Sequence, residues 1–174
     1  MPSFALSAIG RDRPGIVAAV AEVLFEQGCN VEDSSMTLLR GNFAIMLVLA
    51  SPQGATAASL TDALRPACEK MGLVFSVQDV EDTAHEAFAT HVLTVYGADR
   101  PGILAKITEL LAERHVNITD LNSRLVGAEQ PVYALLLELA IPEGAADDIE
   151  RGLSEVTDEI GVDFTLRIRE DDIL

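Results

Sequence analysis

The stretch GRDRPGI at residues 10–16 returns as GADRPGI at residues 97–103, beginning 87 positions later (97 − 10). A repeat of that length exceeds the unit of a solenoid and suits a small domain written twice. Around the turn the two copies keep the same order. A short β-like run precedes each, SFALSAIG (3–10) and THVLTVYG (90–97), and a helical pattern follows. Ile16, Val20, Val23 and Leu24 fall at i, i+4, i+7 and i+8, as do Ile103, Ile107, Leu110 and Leu111. Each segment therefore turns one apolar stripe toward a core.

Both helices stop at matching elements, GCNVED (28–33) and HVNITD (115–120), the first with Gly28 at the C-terminal position that favours glycine. Asn30 and Asn117 keep the same offset, as do Asp33 and Asp120. Beyond them VEDSSMTLLRG (31–41) and ITDLNSRLVGA (118–128) read as strands, each followed by a more apolar one, NFAIMLVLAS (42–51) and PVYALLLELAI (131–141). A second helix is expected around Leu60, Leu64, Cys68 and Met71, and again around Ile149, Leu153, Val156 and Ile160. In VDFTLRIR (162–169), Val162, Phe164, Leu166 and Ile168 alternate with Asp163, Thr165, Arg167 and Arg169, the period of a half-buried strand. The polar stretch EDTAHEAFAT (81–90) is the natural linker, giving domains at 1–81 and 90–174 with 82–89 between them.

Each copy thus reads β-α-β-β-α-β. Right-handed crossovers turn that order into a ferredoxin-like α+β unit, a four-stranded antiparallel sheet with both helices on one face and the second and fourth strands at the edges. A unit of this size buries a modest share of its surface, and its open sheet face and edge strands need cover. Stability alone is one reason to write the unit twice.

The turn offers another. Proline suits the first turn of a helix, Asp12 and Asp99 stand where an N-cap belongs, and the glycine just inside the helix leaves room for close approach to the backbone. A helix start gathers unpaired N–H groups and partial positive charge that favour a carboxylate, and the neighbouring aspartate can accept from an ammonium. A zwitterion at α-amino-acid spacing would satisfy both. The competing reading is that Asp-x-Pro-Gly only starts a helix, with the aspartate as its cap.

Bulk properties exclude several classes. With 12 basic against 28 acidic residues the net charge is −16, so the chain lacks the lysines and arginines that hold phosphates, and neither direct nucleic-acid binding nor an anionic membrane surface is expected. The longest apolar stretch, FAIMLVLA (43–50), is far short of a membrane span, and the opening MPSFALSAIGRDRPG lacks the pattern of a signal peptide. Cys29 and Cys68 have no metal-type or disulfide-framework spacing, which fits buried thiols and a cytoplasmic protein. His85, His91 and His115 fall on different elements, so no metal site is expected, and no cofactor loop or Ser–His–acid arrangement occurs. Arg11, Arg13 and Arg100 cluster at the duplicated turns, where they either pair with acidic neighbours or help to hold a carboxylate, and the tail REDDIL (169–174) reads as a solvated end.

A strand, then DRPGI, an amphipathic helix and GCNVED or VNITD resembles the ACT domain, a βαββαβ regulatory module that binds amino acids in many metabolic proteins. Both copies match, so the resemblance spans nearly the whole chain. Two copies without a catalytic domain, reading DRPGIV (12–17) and GCNVEDS (28–34), are similar to members that repress transcription. The resemblance implies a binding site between two ACT units, with Asp12, Gly15 and Ile16 facing Asn117, and Asp99, Gly102 and Ile103 facing Asn30. In amino-acid-binding members a histidine sits where this chain has Gly10 and Gly97, and an asparagine where it has Asp12 and Asp99. Three functions follow for comparison. The first is a non-catalytic sensor of a small amino acid such as glycine, acting on transcription or a metabolic enzyme through a protein partner, as a homodimer. The second is a ligand-free self-assembly module. The third, an enzyme of the deformylase kind that begins with an ACT unit, loses the space for its catalytic domain to the second copy.

Overall fold

A computed structural model describes residues 1–80, 88–127 and 131–169. The chain divides into two compact units, Met1–Ala84 and His85–Leu174. The expected linker 82–89 lies, up to residue 87, outside the described residues.

In the first unit the order is β1 (Ser3–Arg11), α1 (Ile16–Glu26), β2 (Asn30–Leu39), β3 (Asn42–Ala50), α2 (Ala57–Met71) and β4 (Val74–Val80). The second repeats it as β5 (His91–Ala98), α3 (Ile103–Glu113), β6 (Asn117–Val126), β7 (Val132–Ala140), α4 (Ala146–Ile160) and β8 (Val162–Ile168). Each sheet has four strands, in the orders β2-β3-β1-β4 and β6-β7-β5-β8, with every neighbouring pair antiparallel. The expected ferredoxin-like units are therefore present, and the second and fourth strands of each lie at the edges.

Alternation decides which face is covered. Phe4, Leu6 and Ala8 of β1 and Phe43, Ile45, Leu47 and Leu49 of β3 are buried in one cluster with Ile16, Val20 and Leu24 of α1 and Leu60, Leu64 and Cys68 of α2. The second unit closes the same way around Leu93, Val95, Leu135, Leu137 and Leu139, with Ile103, Ile107 and Leu111 from α3 and Ile149 and Leu153 from α4. Both helices of a unit thus share one sheet face, as the period-2 and period-3.6 patterns demand.

Three details depart from expectation. Ile168 was grouped with the inward residues of the last strand, yet it is 76% exposed. It pairs with His91 at the far end of β8, where the helix layer no longer covers the sheet. Second, the left-handed residue that ends α1 is Gly28 (φ 69°), but the equivalent after α3 is His115 (φ 56°), a non-glycine in a region that L-residues enter at a cost. Third, α2 runs through Pro66, which cannot donate the usual backbone bond, because Leu60, Leu64 and Cys68 on either side of it are held in the core.

Candidate functional site

β1 ends at Arg11, and the backbone N–H of Asp12 donates to the Gly41 carbonyl at 2.9 Å, tying the turn to the β2–β3 hairpin. Gly15 follows Pro14 with φ 92° and ψ −5°, and Gly102 follows Pro101 with φ 99° and ψ −11°. These are the angles of the third residue of a type II turn, where proline at the second position and glycine at the third are favoured. The glycine is thus the N-cap itself and sits outside the helix, and Asp12 and Asp99 lie three residues before it. Neither α1 nor α3 has a side-chain hydrogen bond at its N-cap. The expectation that Asp12 and Asp99 cap their helices is corrected on this geometry: a left-handed glycine three residues further on holds the N-cap position of each helix.

What remains is an open helix start. Gly15 and Gly102 accept the first intrahelical bonds through their carbonyls, from Ala19 and Lys106, both at 2.9 Å. No acidic residue occupies either first turn. The buried side chains of Ile16 and Ile103 anchor the helix ends in their cores, while Asp12, Gly15, Asp99 and Gly102 are exposed. Backbone donors with a partial positive charge beside an exposed carboxylate can bind an anion and a cation side by side.

Arg13 is occupied elsewhere. Its Nη2 donates to the Lys70 carbonyl at 2.9 Å, so its charge sits on the C-terminal end of α2, the favourable end of that helix. Arg100 holds the matching position, with Nη1 3.5 Å from where a Cβ on Gly161 would stand. Among the described residues neither Arg11, Arg13 nor Arg100 enters an ion pair with an acidic side chain, so the expectation of salt bridges at the turns is not met.

Asn30 and Asn117 open β2 and β6 and are exposed. The register places them far from their own unit's turn. Asn30 pairs with Ala50, which pairs with Ser3 at the start of β1, whereas Asp12 follows the other end of β1. Eight residues of strand at about 3.4 Å each separate the two ends. Within one unit, then, Asp12, Gly15 and Ile16 come together and Asn30 does not join them; the same holds for Asp99, Gly102 and Ile103 against Asn117.

Gly10 and Gly97 have a steric reason. A Cβ on Gly10 would meet Leu73 Cδ2 at 2.8 Å and the Gly72 carbonyl at 2.9 Å, and one on Gly97 would meet Val162 Cγ1 at 2.8 Å. The start of the fourth strand fills the place that a larger side chain would need. Sequence reading also missed a β-bulge shared by both copies, between Val31 and Asp33 and between Ile118 and Asp120. The matched polar residues at 32 and 119 were its only trace. Among the described residues no group of His, Cys, Asp or Glu is arranged to hold a metal ion, and no helix is long and apolar enough to cross a membrane.

Comparison with known proteins adds to this geometry. Residues 4–78 and 91–161 each match a model described as the ACT domain. The chain is 28% identical over 169 residues to the glycine cleavage system transcriptional repressor of Escherichia coli, covering 94% of this chain and 88% of that protein. A crystal structure of an unknown protein from Galdieria sulphuraria superposes with a TM-score of 0.85 at 28% identity, over 97% of this chain and 99% of the other. A putative glycine cleavage system transcriptional repressor superposes with a TM-score of 0.72 at 19% identity, over 98% of each chain, a likeness of fold.

Proposed function

The chain belongs to the ACT-domain family through both of its units, and from that premise we propose that it is a non-catalytic regulator that binds a small amino acid, glycine being the first candidate, between ACT units. The observation that carries this reading is the pair of uncapped helix starts, each behind a left-handed glycine and an exposed aspartate. Likeness to the E. coli repressor along nearly the whole chain supports a regulatory role in transcription.

The proposed sites join the turn of one unit to the second-strand asparagine of another: Asp12, Gly15 and Ile16 with Asn117, and Asp99, Gly102 and Ile103 with Asn30. First-turn N–H groups hold the carboxylate, and the aspartate and the asparagine amide take the ammonium. The crowding at Gly10 and Gly97 leaves the backbone to do the work that a side chain there would share. A ligand bridging two units favours the arrangement in which they meet, and so changes which surface a partner finds. With a net charge of −16 the chain is suited to a protein partner, a transcription factor or an enzyme, rather than to DNA.

Calorimetry with a panel of amino acids tests this. Heat is expected for glycine or another small amino acid with the wild type, weakened about 10- to 100-fold by Asp12→Ala or Asp99→Ala, the range for one charge-assisted hydrogen bond. No heat from any member of the panel would overturn the sensor reading. It would favour a ligand-free interaction module, for which the filled space at Gly10 and Gly97 is the supporting observation.

A further inference from the structure

The flanks formed by the first helix and the second strand of each unit share a fold and differ in surface. In unit 1 a cavity of about 280 Å³ lies between α1 and β2, with buried Val20, Leu24 and Phe43 at its floor and exposed Val17, Ala21 and Met36 at its mouth. The spacing of four residues carries the row of Val17 and Ala21 on to Phe25, which is 82% exposed. Strand β2 lies at the sheet edge, exposed along all ten of its residues and paired, among the described residues, with β3 alone. The repeat supplies the comparison. Ala21, Phe25, Ser34 and Met36 of unit 1 correspond, at the offset of 87, to Thr108, Ala112, Leu121 and Ser123 of unit 2. Residues 14–39 hold four acidic side chains, Glu22, Glu26, Glu32 and Asp33, and no lysine or arginine, whereas residues 101–126 hold three of each sign.

We propose that this flank of unit 1 docks an extended, basic segment of a protein partner, added as a strand along the free edge of β2 with one large apolar side chain entering the cavity. An edge strand leaves a row of backbone N–H and C=O groups that a further strand can pair. Side chains of the added strand alternate between the two sheet faces, so every second one falls on the helix side, beside Val17, Ala21 and Phe25. About 150 Å³ suffices for a benzene-sized group, so the cavity takes a leucine or phenylalanine side chain, and Met36 at its mouth adapts to what enters. Charge names the occupant. Four carboxylates with no basic residue on the same stretch attract a segment bearing lysine or arginine, and they repel a second copy, which would bring four more. Unit 2, balanced in charge and with Thr108 and Leu121 in place of Ala21 and Ser34, does not present this surface.

This docking rests on the reading that the chain acts through a protein partner, and it does not involve the amino-acid sites. Panning the immobilised full chain against a phage library of random ten-residue peptides tests it. Enriched peptides are expected to alternate apolar with polar residues and to carry net positive charge. Ala21→Arg, at an exposed position on the cavity mouth, is expected to weaken their binding about 10-fold or more by fluorescence anisotropy. Thr108→Arg, the same change on unit 2, is expected to leave it unchanged. Replacing Glu32 and Asp33 together by lysine reads the charge separately, weakening binding at low salt and flattening its salt dependence. Enriched peptides that are acidic or lack alternation, undiminished binding to Ala21→Arg, or an equal loss with Thr108→Arg would each overturn the proposal. So would a second copy on this flank, seen as a wild-type dimer that enriches no peptide and that Ala21→Arg dissociates. Amino-acid heat in calorimetry beside a failed panning overturns the docking surface and leaves the sensor reading standing; peptide capture without amino-acid heat does the reverse.

Discussion

Gly97 and Gly102 stand five positions apart on either side of the turn and are glycine for different reasons. At Gly97 a Cβ would lie 2.8 Å from Val162 Cγ1 and 3.2 Å from its Cα, in ordinary backbone conformation. At Gly102 the described residues leave open space, but φ is 99°. Gly97→Ala is therefore an overpacking change costing about 1–3 kcal/mol, and Gly102→Ala a backbone strain of about 1–2 kcal/mol. Urea unfolding of the full chain measures both, and a second change Val162→Ala should relieve part of the first and none of the second. At the same scale, burial pushes the Cys68 thiol above its ordinary value of 9.0. The folded state favours the protonated thiol, so this contribution to stability is complete below the unfolded value and is lost as pH rises through the higher folded one. Unfolding free energy should fall as pH rises above that ordinary value of 9.0, and Cys68→Ala should flatten that slope. Neither the crowding at Gly97 nor the burial of Cys68 can be read from a turn motif. The first depends on Val162, and the second on the β1, β3 and α1 residues of its own core; each lies distant in sequence.

Elements were legible where periodicity was strong and less so at their ends. The stripes of α1 and α3 face the cores as expected, yet the helix starts were misassigned by three residues because Asp-x-Pro-Gly fits a capped helix and a type II turn equally well on paper. The four helices also differ in how they begin. Only α2 has a reciprocal cap among the described helices, with the Thr56 hydroxyl accepting from Ser59 N–H at 3.1 Å and the Ser59 hydroxyl accepting from Thr56 N–H at 3.0 Å. Thr56→Ala should cost about 1 kcal/mol. In the same helix Pro66 breaks the backbone ladder, so Pro66→Ala should stabilise the chain by about 1–3 kcal/mol. Thermal or urea unfolding checks the pair; equal and opposite small effects would show that α2 is held by its core stripe alone.

At the scale of the molecule the dominant quantity is the charge of −16. Self-repulsion among exposed carboxylates opposes the compact state and is screened over about 8 Å at 0.15 M ionic strength. The melting temperature of the full chain should therefore rise as monovalent salt is raised from low millimolar to about 0.15 M, the reverse of what a fold resting on surface ion pairs would show. The six ion pairs among the described residues all keep at least one partner substantially exposed, which is why none is expected to outweigh the net repulsion. A flat or falling melting temperature over that range would contradict this balance.

The amino-acid sequence alone determined the duplication, the order of elements, the covered face of each sheet and the strongly acidic net charge. These follow from an offset of 87, from local periodicities and from summed charge, which need no knowledge of what lies across the fold. Tertiary structure alone decided that the turn glycines are left-handed N-caps, that Arg13 closes α2, that Gly10 and Gly97 are packed shut, and that each asparagine sits at the opposite end of the sheet from its own turn. Each of those depends on pairings between residues far apart in the chain, where register and close packing set the geometry and sequence spacing carries no record of it.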